Sequence, residues 1–119
     1  MKKQLAVVCL ASTLMAGCAL QPPQPTGFYW GNYSRTLYEY EKNPGTASRE
    51  AHENTLKGII SSADAGNGKV PPGVYAELGN LYLDQGDKAQ AVKYFELEAA
   101  HYPESAVLMK NLINKAGKA

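Results

Sequence analysis

Residues 72–105 read PGVYAELGNLYLDQGDKAQAVKYFELEAAHYPES, and their spacing decides the fold. Tyr75, Leu78, Leu81 and Tyr82 recur three and four apart, which places them on one helical stripe with Glu77, Asn80 and Asp84 on the wet side. Pro72 suits a first helical turn, where its missing N–H would have had no partner, and Gly86 is a left-handed stop. Asp87 then N-caps a second helix, with Gln90 three residues on to complete a capping box. Ala91, Val92, Phe95 and Ala99 share the buried face of that helix, and Pro103 ends it by crowding the residue before and offering no donor. Gly79 and Ala91 let the two axes approach closely, while Tyr82 and Phe95 fill the space between them.

This stretch resembles the tetratricopeptide (TPR) repeat. Tyr75 stands at the opening aromatic, Leu78-Gly79 at the Leu-Gly pair and Tyr82 three residues later, followed by Ala91, Phe95 and Pro103 at the remaining signature spacings. The later alanine of the pattern is Glu98, with Ala99 beside it, which implies looser packing onto whatever follows. The resemblance implies an all-α fold of stacked helical hairpins. It implies no reaction, because such repeats are scaffolds for unrelated ligands.

Outward from this pair, the spacing predicts three more helices. Trp30, Tyr33, Leu37 and Tyr40 mark one over 29–42 with a buried aromatic stripe, ended by Asn43-Pro44-Gly45. Thr46 or Ser48 caps the next, in which Leu56, Ile59, Ile60 and Ala63 face the core while Arg49, Glu50, Glu53 and Lys57 face water. Gly66-Asn67-Gly68 stops it. After Pro103, Ser105 caps a last helix with Leu108, Met109, Leu112, Ile113 and Ala116 on one side. The expected domain, 28–117, is therefore two stacked helical pairs plus a C-terminal capping helix, since a single hairpin cannot bury its own apolar face.

The N-terminus has the anatomy of a secretory signal over 1–17: a basic start at Lys2-Lys3, an apolar run from Leu5 to Met15, and small residues at Ala16-Gly17. The run falls short of the roughly 20 apolar residues that span a bilayer. Met15-Ala16-Gly17-Cys18, preceded by Leu14, resembles a bacterial lipobox, which implies that Cys18 is acylated and anchors the chain in a membrane. Ala19 in place of the aspartate associated with inner-membrane retention implies the outer membrane. Residues 18–27 carry three prolines and form an extended tether.

Among 119 residues, 12 are basic and 11 acidic, and two of the basic ones leave with the signal, so the remainder is close to neutral. No basic stripe calls for nucleic acid. The two cysteines, Cys9 and Cys18, precede the folded part, which excludes a structural disulfide or a thiolate metal site there. His52 is followed four residues on by Leu56, so the two-histidine zinc helix is absent. His52 and His101 both read as surface residues. No nucleophile motif or phosphate-cradling loop occurs, and neither an enzyme nor a cofactor is expected.

The expected interaction surface lies along the helix that starts near Pro72. In TPR domains ligands run along the first helix of each repeat, which by that resemblance offers Glu77, Asn80, Leu83 and Asp84 here, with Tyr38 as an exposed contact on the first helix of the chain. The whole architecture is also similar to a family of small uncharacterised bacterial lipoproteins, which share the tether, the Phe28-Tyr29-Trp30-Gly31 opening and one TPR-like hairpin. That resemblance implies an outer-membrane assembly with a larger lipoprotein related to curli-secretion channels. The expected function is thus a membrane-anchored, periplasm-facing adaptor for another envelope protein; the alternative is a peptidoglycan- or glycan-binding lipoprotein using Tyr29, Trp30 and Tyr38.

Overall fold

A computed structural model describes residues 27–118. The expected signal over 1–17, Cys18 and the expected tether as far as Thr26 lie outside the described residues. Within them the chain is all-α, with five α-helices: α1 Tyr33–Lys42, α2 Thr46–Asp64, α3 Val74–Asp84, α4 Lys88–His101 and α5 Ala106–Lys118, the last preceded by a 3₁₀ turn, Pro103–Ser105. No described helix is long and apolar enough to cross a membrane.

Helices α3 and α4 form an antiparallel hairpin, since Gly79 meets Phe95 near its middle while Gly73 N donates to Glu98 Oε1 at its open end. The turn between them is built from local chemistry. Gly86 takes φ +82°, Asp87 N donates to Tyr82 O and Gly86 N to Leu83 O, the double bond of a Schellman stop. Asp87 Oδ1 then accepts from Gln90 N at 3.1 Å and so caps α4. A Cβ at Gly79 would lie 2.6 Å from Phe95 Cε1, so the helices touch where the glycine permits it. These features are compatible with the TPR hairpin expected from the spacing.

Two clusters make the core. Leu56 and Ile59 of α2 pack with Val70, Val74, Tyr75, Leu78 and Leu81, while Ala91 and Phe95 of α4 pack with Met109 of α5. Tyr82 borders both and stacks on Tyr94, with ring centroids 5.5 Å apart and planes 4° from parallel.

The structure corrects the sequence reading in several places. Helix α1 starts at Tyr33 rather than Tyr29, because residues 27–29 are held elsewhere: Lys69 N donates to Gly27 O and Tyr29 N to Lys69 O, a short parallel bridge between Phe28 and Lys69. Trp30 thereby leaves the aromatic stripe and is 44 % exposed, and no residue of α1 is fully buried. The cap of α2 is Gly45 without a side-chain bond, since the Ser48 hydroxyl donates back to Asn43 O. Ser105 sits in the 3₁₀ turn, its hydroxyl donating to Tyr102 O. On α5 the contact stripe is Met109, Leu112, Ile113 and Ala116, which turns Leu108 outward at 58 % exposure. On α4 it is Glu98, not Ala99, that is buried, because its carboxylate is needed by Gly73 N at the start of α3.

Glu53, expected to face water, is instead covered and joins two helices. Lys57 Nζ lies 2.6 Å from its Oε1 and Gln85 Nε2 donates to Oε2 at 3.1 Å. Burial pushes its carboxyl up, but the hydrogen bonds from Lys57 and Gln85, with the Lys57 and Arg49 charges, outweigh it and hold it below its ordinary value. A depressed folded pKa contributes stability that is present above the ordinary carboxyl range and lost as pH falls through the folded value. Glu53→Gln is therefore expected to cost about 0.5–1 kcal/mol at neutral pH, with mutant and wild-type melting temperatures converging on acidification below about pH 4. A constant gap down to that pH would refute this origin.

Candidate functional site

Three helices meet at a polar joint that spacing alone does not reveal. His52 of α2 is fully buried, not a surface residue. Its Nε2 lies 2.6 Å from Glu77 Oε1 on α3, and its Nδ1 2.8 Å from Thr36 Oγ1 on α1. The Tyr33 hydroxyl donates to the other Glu77 oxygen at 2.6 Å. A carboxylate only accepts, so Nε2 carries the proton toward Glu77. The rings of Tyr33 and Tyr40 flank the imidazole, with centroids 5.4 and 6.2 Å away. Glu77, expected on the wet face of α3, is thus turned inward by partners on two other helices, and its side chain keeps 26 % exposure.

Hydroxyl, imidazole and carboxylate in that order resemble the connectivity of an activated nucleophile. The surroundings favour a structural joint. Thr36 Oγ1 also lies within reach of Tyr33 O, 3.2 Å away on its own helix, so its proton has a backbone acceptor.

The joint also affects phenol ionisation. Burial, then the hydrogen bond to Glu77 and the charges of Glu77 and Glu41, push the Tyr33 phenol well up; burial first raises those of Tyr75, Tyr94 and Tyr102 as well. A raised folded pKa contributes stability that is fully present below the ordinary value near 10 and lost as pH rises beyond it. A spectrophotometric titration of the 8 tyrosines is expected to show a late-ionising group that disappears in Tyr33→Phe, with alkaline unfolding that mutant shifts upward. Ionisation of all phenols together near 10 would contradict it.

The other expected contact residues divide. Asn80 and Asp84 lie exposed on α3, whereas Leu83 is half-buried against the Phe95–Met109 cluster. Tyr38 is 57 % exposed on α1, with Lys42 Nζ 5.4 Å from its ring centroid. Phe28, Tyr29 and Trp30 form a further exposed aromatic edge at 50, 39 and 44 %, and Trp30 meets Tyr33 edge to face at 5.1 Å. At the opposite end of the chain Val107 and Leu108 are 77 and 58 % exposed. The His52 joint was illegible because its partners are remote in sequence. The outward turn of Leu108 could have been read from the tighter Met109, Leu112, Ile113, Ala116 series. Among the described residues no cluster of histidine, cysteine and carboxylate side chains is suited to hold a metal.

No curated protein matches this chain, and no solved structure does. A family profile does match, over residues 28–112, from the aromatic edge to Leu112 on α5. The chain belongs to the family described as Domain of unknown function (DUF4810).

Proposed function

We propose that the protein is a lipid-anchored adaptor that binds another envelope protein through its helical array. The observation that carries this reading is apolar exposure at both ends of the array: α5 presents Val107 and Leu108, while α1 buries no residue completely and presents Tyr38. Repeat arrays keep the outer faces of their terminal units polar for solubility, and uncovered apolar groups mark contact surfaces. Asn80 and Asp84, exposed on α3, supply polar specificity between those ends. The lipobox around Cys18 supplies the location, an outer membrane facing the periplasm. A larger lipoprotein related to curli-secretion channels is the partner implied by the family resemblance.

Co-purification of the full chain from detergent-solubilised membranes tests the adaptor. Asn80→Ala with Asp84→Ala is expected to lower capture of a specific envelope protein about tenfold, roughly 1.4 kcal/mol. Capture that is identical for wild type and variant excludes this surface. The anchor has its own test, since several acyl chains hold a protein on its membrane and none does. Cys18→Ala is expected to abolish incorporation of labelled palmitate and to release the chain from sedimented membranes; an unlabelled wild type overturns the anchor.

A second reading, glycan binding, is favoured by the 44 % exposure of Trp30 beside Tyr29 and Phe28. Retention of the full chain on purified sacculi, lost in Trp30→Ala, would select it.

A further inference from the structure

A cavity of about 420 Å³ opens beside the Phe28–Lys69 bridge, between the ends of α2 and α4 and the start of α3. That volume falls within the roughly 300–1,000 Å³ of small-molecule sites. It is lined by the aromatic residues Phe28, Tyr75, His101 and Tyr102 together with the charged residues Asp64 and Lys69. Three of these rings are held by their neighbours. Tyr75 and His101 lie with centroids 4.9 Å apart, and the Tyr102 hydroxyl donates to Val70 O. His101 Nδ1 is 2.9 Å from Leu97 O, so it carries a proton and leaves Nε2 of the neutral ring as an acceptor.

Behind this wall stands Glu98. It is 3 % exposed, and only one of its oxygens is satisfied: Oε1 takes the Gly73 N–H at 2.8 Å, while Oε2 has no partner among the described residues. Burial, then neighbouring charges including Glu98, push the phenols of Tyr75 and Tyr102 up.

We propose that this cavity binds a neutral saccharide, with the aromatic rings against the apolar face of a sugar ring and Asp64, Lys69 and His101 against its hydroxyls. Hydroxyl groups both donate and accept, which matches a lining of acceptors and donors set around aromatic faces. An acyl chain would strip water from Asp64 and Lys69 without replacing its hydrogen bonds. A phosphate would meet one lysine opposed by a carboxylate. His101 has no carboxylate within ion-pairing distance among the described residues, so the geometry is that of binding, not of an acid–base pair. The ligand class rests on the glycan reading above, but the site differs from the Tyr29, Trp30 and Tyr38 surface named there.

The test is amide NMR of the full chain in detergent micelles, titrated with chitotriose and maltotriose, and with triglycine and decanoate for comparison. Either sugar is expected to shift residues around Phe28, Asp64, Lys69 and His101, and Asp64→Asn and Phe28→Ala are expected to weaken that binding about tenfold with helicity unchanged. Shifts confined to Tyr29, Trp30 and Tyr38 would overturn the cavity while leaving the glycan reading standing. No sugar-induced shift anywhere overturns both. Stronger shifts of the cavity residues by triglycine or decanoate than by either sugar overturn the ligand class.

Discussion

Replacing Glu77 by alanine is expected to lower the unfolding free energy by about 2–4 kcal/mol, a large share of the stability of a domain this small. The loss does not arise from one contact. Glu77 is the common acceptor for His52 Nε2 and the Tyr33 hydroxyl, so its removal leaves two donors on two other helices without a partner. His52 is fully buried and cannot turn to water, and each stranded buried group costs about 1–3 kcal/mol. The pairing makes a further demand. In a double-mutant cycle with His52→Leu, the second substitution is expected to recover part of the loss, because removing both members of a buried polar pair costs less than breaking it. Chemical denaturation of the four proteins measures this. Strict additivity would show that the joint is not a coupled unit, and a loss below about 0.5 kcal/mol for Glu77→Ala would show that solvent satisfies the abandoned donors.

Gly79→Ala is expected to destabilise the chain although alanine is the better helix former. The helical preference favours alanine by about 1 kcal/mol. Against it, the new methyl would stand 2.6 and 2.8 Å from two ring carbons of Phe95 and 3.2 Å from Ala91 O. Phe95 is fully buried and Ala91 O is backbone, so neither yields cheaply. Overpacking of this kind costs about 1–3 kcal/mol, leaving a net loss of up to about 2 kcal/mol and a fall in melting temperature of up to several degrees. Phe95→Leu in the same chain is expected to relieve the clash, so that the pair is less damaging than the sum of its members. A melting temperature that rises in Gly79→Ala would mean that α3 and α4 do not approach as closely as Gly79 allows.

The parts of the fold that were legible in the sequence are those settled within one or two helical turns. Gly86 and Asp87 act on their immediate neighbours, so the stop of α3 and the cap of α4 follow from spacing, whereas the expected capping box stays half made because Asp87 N donates to Tyr82 O and not to the Gln90 side chain. The misread parts depend on partners far along the chain. His52 meets Glu77 25 residues later, and Tyr33 meets the same carboxylate 44 residues away. Glu98 looks like a defect in the repeat pattern until Gly73, at the other end of the hairpin, is brought to it. Helical periodicity placed Trp30 on the α1 stripe because periodicity cannot see Lys69, whose backbone holds residues 27–29 out of the helix. Of the contact residues expected on α3, Asn80 and Asp84 lie exposed, while Glu77 and Leu83 are drawn inward by groups their own helix does not supply.

The two backbone hydrogen bonds at Lys69 also determine where force enters the molecule. A pull on the segment preceding Gly27 reaches them before it reaches α1, and Lys69 passes the load to the connection between α2 and α3, next to the buried Val70 and Pro71. Tension of that kind meets the middle of the chain before it meets the lightly packed first helix.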